Sequence, residues 1–145
     1  MNRLLVAAAL LAAALSVSFA QGTLNVTYVD HDKVATAITN GGALASGPDF
    51  AVSIAKRSAA GMVEIHDKET DTFYVLDGEA TFVTGGTMSG GRVSRPNQQV
   101  GTDIQGGQTQ HLVKGDVITI PAGVPHWFKE VTKPITYYMV KIVKP

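Results

Sequence analysis

Glu64, His66, Asp71 and His126 are the residues of this 145-residue chain whose types and spacing could do chemistry. Two imidazoles and two carboxylates suit a divalent first-row metal. Imidazole serves iron, nickel, copper and zinc, whereas carboxylates pull toward manganese and iron(II). Two histidines and one carboxylate with open positions is also the ligand type of non-haem iron oxygenases. Glu64 has a second role open to it: outside the coordination sphere it could act as a general base. Burying three or four ionisable groups together is costly without a cation or mutual pairing. The plainer alternative is a polar interior, with Glu64 and His66 hydrogen-bonded to each other and Asp71 capping a turn.

These residues need strands to position them. Side chains alternate across a strand, so Glu64 and His66 share one face while Val63 and Ile65 share the other. The polar run Asp67-Lys68-Glu69-Thr70 reads as a turn. Thr72 to Leu76 reads as the next strand, and Asp77-Gly78 as a hairpin signal. Glu79 to Val83 continues in strand. Further on, Pro121-Ala122-Gly123-Val124-Pro125 is a rigid turn that fixes where His126 points. In a regular strand Phe128 and Glu130 share the His126 face. Ile135 to Val143 supplies a last strand, with Tyr137, Met139 and Lys141 on one face and Tyr138, Val140 and Ile142 on the other. The alternation does not say which face turns inward.

Two stretches resemble the paired motifs of the cupin superfamily. The first motif, G-x5-H-x-H-x3/4-E-x6-G, is met by Glu64 in place of the first histidine, His66, Asp71 in place of the glutamate, and Gly78; Ser58 stands at its opening glycine. The second, G-x5-P-x-G-x2-H-x3-N, is met by Gly115, Pro121, Gly123 and His126, with Glu130 at the last position. The resemblance implies an all-β fold, a single cupin β-barrel of jelly-roll (double-stranded β-helix) type, with the segment between the motifs variable. It also implies a metal held through histidines and a carboxylate, and a possible homodimer paired through the sheets. Glu64 in place of a neutral histidine adds negative charge and should favour hard cations. Asp71 is a methylene shorter than glutamate and has less reach.

The start of the chain has the pattern of a signal peptide over residues 1–20. Asn2-Arg3 gives a short positive start, Leu4 to Leu15 an apolar run, and Ser18-Phe19-Ala20 a cleavage pattern. A periplasmic or secreted protein is expected, with no stable membrane insertion after cleavage. Residues 21–49 read as an N-terminal helix and strand segment, and 50–145 as the barrel. Asp30-His31-Asp32, then Val34, Ala37 and Ile38, then Asn40-Gly41-Gly42, describe a short helix with an acidic start and a glycine stop. His31 reads as a surface residue. Gly42 to Asp49 reads as loop, and Phe50 to His66 as two strands around Ser58 to Gly61. Residues 85–110, punctuated by Gly85-Gly86, Gly90-Gly91, Pro96-Asn97 and Gly106-Gly107, read as one long loop able to fold over the barrel mouth. Arg92 and Arg95 read as solvated there, and His111 as a strand-edge residue outside the site.

Composition narrows the function. Without the leader 125 residues remain, enough for one domain. The chain has no cysteine, which excludes disulfides, thiolate catalysis and cysteine-based zinc sites. Losing Arg3 leaves 11 basic and 12 acidic residues, and no basic run points to nucleic acid. The partner expected is a small organic molecule, and the cofactor a divalent metal ion such as manganese, iron, nickel or zinc. Two readings stand side by side. In one, a metal-dependent enzyme of oxygenase, isomerase or lyase type polarises a carbonyl or activates water or dioxygen. In the other, a non-catalytic module binds a sugar-like or organic-acid ligand without metal.

Overall fold

The computed structural model describes residues 25–145; the leader assigned to residues 1–20 lies outside the described residues. One helix, α1 (His31–Asn40), precedes eleven strands: β1 (Gly42–Ser46), β2 (Phe50–Arg57), β3 (Val63–His66), β4 (Glu69–Thr84), β5 (Thr87–Ser89), β6 (Arg92–Arg95), β7 (Gln98–Gly101), β8 (Asp103–Gln105), β9 (Gln108–Val113), β10 (Val117–Ile120) and β11 (His126–Val143). The Asp30 carboxylate caps α1 by accepting from the Lys33 backbone N–H at 2.9 Å, and Gly41 ends it at a positive φ of 76°. Ala37 is its only buried side chain; Ile38, expected on the same stripe, is exposed.

Two long strands, β4 and β11, run antiparallel along most of their length and form the spine. Beyond that spine β11 pairs with β2 and, at His126, with β3, while β4 pairs with β9 and β10. All strands except the separate β5–β8 pair join one nine-stranded antiparallel sheet that wraps the core. The interior is aromatic: Phe73, Phe82, Phe128 and Tyr137 meet ring to ring with Val75, Leu112, Ile120 and Ile135 around them. Their burial supplies the main driving force for closing the sheet. A smaller cluster of Val63, Val83 and Ile104 packs with Met88 and Trp127 under the other end.

Several expectations are corrected. Asp77-Gly78 is no hairpin: β4 runs through it. Gly78, at a φ of 87°, bends the strand where a Cβ would overlap the Pro134 carbonyl. Asp67–Thr70 is a shorter turn than expected, because Glu69 and Thr70 already belong to β4, paired with Val143 and Ile142. Gly42–Asp49 is not all loop, since β1 pairs with β2 there. Residues 85–110 are not a long loop either. The glycines are turns between β5, β6, β7 and β8, strands of three or four residues that are too short to show alternation. A register shift between Phe128 and Glu130 turns Glu130 out to solvent and away from the His126 face.

Candidate metal centre

Three local features aim the site. Glu64 and His66 lie on the same face of β3, and Glu64 sits directly across from His126 at the start of β11. The Pro121–Pro125 turn is tied to β3 through the Gly123 N–H, which donates to the His66 carbonyl at 2.8 Å; Gly123 adopts a φ of 84° that favours glycine. The Ala122 N–H donates to the Thr70 hydroxyl at 3.3 Å, so the same turn also grips β4. His126 enters the interior held from both sides.

The four expected side chains converge. His66, Asp71 and His126 are buried, Glu64 is half-buried, and the two imidazole rings lie 5.1 Å apart. Oε2 of Glu64 is 4.0 Å from Nε2 of His66 and 3.9 Å from Nε2 of His126. Oδ2 of Asp71 is 3.5 Å from the first nitrogen and 4.0 Å from the second. These separations exceed hydrogen-bond length. Two ligand atoms sharing an ion with bonds of ~2.1 Å stand about 3 to 4 Å apart, so the set fits a metal. The alternative in which Glu64 and His66 bond each other and Asp71 caps a turn does not describe the structure.

Protonation supports the same use. Burial, the largest effect, pushes the His126 imidazole below its ordinary value of 6.5. Burial likewise lowers His66, helped by the Lys141 ammonium. Both rings are therefore neutral at pH 7, with lone pairs to offer. Nδ1 of His126 lies 3.1 Å from the Val124 carbonyl; an N–H donated there leaves Nε2 free to face the carboxylates. Nδ1 of His66 is buried without a hydrogen-bond partner, 3.6 Å from a Glu69 oxygen.

A pH dependence follows for metal-free protein. The folded-state histidine values lie below the unfolded ones, so the unfolded chain binds more protons as the pH falls past about 6.5. Stability should be full above that value and decline on acidification until the folded-state values are passed. Urea midpoints between pH 8 and pH 5 would reveal it as a falling midpoint, and a midpoint unchanged across that window would contradict neutral, buried histidines.

Asp71 has a partner that strand patterning did not identify. Lys141 is its cross-strand neighbour, and its ammonium donates to both Asp71 oxygens at 2.7 and 2.9 Å and to Glu69 at 3.0 Å. The Tyr137, Met139, Lys141 face is thus the inward one. Asp71 stands beside the two histidines with its charge already balanced, whereas Glu64, besides the two imidazoles, is near the Gln98 amide at 3.5 Å and the Arg57 guanidinium at 4.0 Å. Arg95, expected in solvent, reaches the rim 3.7 Å from Glu69. Arg92 is exposed, and His111 is exposed 3.7 Å from Glu79, both away from the site. Next to the four side chains opens a cavity of about 380 Å³ whose walls include Phe73, Phe128, Tyr137 and Met139. That size suits a small organic molecule.

A β-barrel presenting histidines and carboxylates from two such motifs into its interior defines a cupin. The sequence matches the cupin family over residues 24–142, and the chain belongs to that family. Solved structures agree on the fold. The Bacillus halodurans protein BH2720 superposes with a TM-score of 0.58 at 15% identity, covering 85% of this chain and 86% of its own. The cupin domain of Schizosaccharomyces pombe Cnp3 gives 0.53 at 16% identity, covering 72% of this chain and 64% of its own. The DMSP lyase DddQ of Ruegeria pomeroyi gives 0.50 at 17% identity, covering 70% of this chain and 45% of its own. At such identities the likeness bears on the fold alone. No curated protein matches the sequence significantly.

Proposed function

We propose that this chain is an exported cupin that holds a divalent metal ion on His66, His126 and Glu64 and binds a small organic molecule beside it. The reading is supported chiefly by one carboxylate oxygen 3.9–4.0 Å from each of two neutral imidazoles at a cavity wall. Asp71 belongs to the same centre as a flanking charge fixed by Lys141. A bound metal would supply Lewis acidity toward a carbonyl or carboxylate oxygen of the ligand. The chain's own residues orient the ligand: the aromatic walls exclude water, and the carboxylate–ammonium pair at Asp71 holds a fixed field across the cavity.

Export rests on the leader pattern of residues 1–20, and among the described residues no helix is long and apolar enough to cross a membrane. Pairing of two copies belongs to the same proposal. The exposed cross-strand neighbours Tyr74 and Val117 on the outer face would contribute to it. Purification without chelators followed by elemental analysis tests the metal reading. Close to one ion per chain, taken from manganese, iron, nickel or zinc, is expected. Protein that arrives metal-free and takes up none of the four on titration would overturn it.

A further inference from the structure

Among the described residues, four cationic side chains line the cavity: Lys56, Arg57, Arg95 and Lys141. Three are committed elsewhere. The Lys56 ammonium donates to the carbonyls of Thr39 and Ile38 at 2.7 and 3.4 Å, at the end of α1. Lys141 is bonded to Asp71 and Glu69, and Arg95 lies near Glu69 at the open rim. Arg57 differs from all three. Its nearest carboxylate oxygen, on Glu64, is 4.0 Å away, its Nε is buried with no hydrogen-bond partner, and its other polar neighbour is the uncharged Tyr137 hydroxyl.

The guanidinium is nevertheless held firmly. It lies over the Phe128 ring, 4.9 Å from the ring centre to Cζ. It also packs against Gly61, where an added Cβ would fall 2.6 Å from Nη1. Gly61 is itself fixed, since its N–H donates to the Phe128 carbonyl at 3.0 Å and its carbonyl accepts from the Trp127 indole at 2.7 Å. A guanidinium locked in place on a cavity wall, with a neutral phenol beside it and no close counter-charge, is suited to a planar anion. One guanidinium whose charge is not balanced matches a carboxylate monoanion better than a phosphate dianion, which calls for more free positive charge. The neighbouring Phe73, Phe128 and Met139 offer an apolar bed for the rest of such a molecule.

From these contacts we infer that the cavity takes a small organic carboxylate, its carboxylate seated on Arg57 and its other end turned toward His66 and His126. The inference rests on the metal reading only in that Glu64, engaged by the ion, leaves Arg57 to the ligand. Butyrate and benzoate are the probes, with butyramide and benzamide as neutral controls of matched shape. Binding is measured by calorimetry on protein whose metal content has been determined. Both acids should bind and both amides should fail. Arg57→Gln should weaken the acids by about 10- to 100-fold, the loss expected for a charge-assisted hydrogen-bonded contact. Arg57→Lys should fall between, keeping the charge and losing the fork.

Gly61→Ala, which displaces the guanidinium without removing a polar group, should weaken the acids as well and leave metal content unchanged. Acids bound equally by wild type and Arg57→Gln would overturn the inference, as would a full metal complement with no preference for acids over amides. In both of those outcomes the metal reading survives. A wild type that takes up no metal yet binds the acids through Arg57 sinks the metal reading and leaves the carboxylate site standing.

Discussion

Protein carrying His126→Ala is expected to emerge from gel filtration with essentially no bound metal. His126 presents one of three convergent donors and approaches Glu64 and Asp71 at 3.9 and 4.0 Å. Loss even of a group that only supports a ligand commonly costs 10–100-fold in metal affinity, so loss of the ligand itself should cost at least about 100-fold. His66→Ala should behave in the same way. The fitting control is His111→Ala, because His111 is exposed and paired only loosely with Glu79, and it should leave metal content untouched. Elemental analysis of the three variants beside the wild type makes the comparison. Equal metal loss at His111, or full retention at His126, would show that the ion sits elsewhere.

The second large effect is expected at Lys141→Met. Methionine keeps much of the packing but strips Asp71 of the one close cation it has among the described residues, while the carboxylate stays buried. Both partners are well shielded, with side-chain exposures of 18% for Lys141 and 3% for Asp71. Removing one member of such a pair costs about 3–5 kcal/mol, most of it the burden of the charge left behind. A bound divalent ion would balance that charge, with Oδ2 of Asp71 already 3.5 Å from Nε2 of His66. The variant should therefore be much less stable than wild type when metal-free and recover most of the difference with excess manganese. Urea unfolding with and without the ion separates the two contributions. A metal-free variant as stable as wild type would mean that the pairing with Lys141 is not what keeps Asp71 folded inside.

Motif spacing made the centre legible, whereas strand pairing did not. Glu64, His66 and His126 could be brought together on paper because alternation fixes faces and the Pro121–Pro125 turn fixes a direction. Lys141 could not, because Tyr137-Tyr138-Met139-Val140-Lys141-Ile142 offers two comparably apolar faces. Only the register of β11 against β4 chooses between them, and register is not written in either strand alone. One signal was present: an inward Asp71 beside Phe73 and Val75 calls for a buried cation, and Lys141 stood in a strand able to supply it. Glu69 was lost to its neighbours, since Asp67 and Lys68 made the whole polar run look like turn. Arg57 closes an apolar strand and carries no pattern of its own. Its importance emerges from Phe128 and Gly61, remote in sequence. The short strands of residues 87–105 escaped because three or four residues between glycines cannot establish a period of two.

Diffraction from crystals of manganese-loaded protein, recorded near the metal's absorption edge, bears most directly on the centre itself. A single anomalous peak within bonding distance of Nε2 of His66, Nε2 of His126 and Oε2 of Glu64 is expected. A peak at the protein surface, or those three atoms turned from one another with the ion bound to other residues, would contradict it.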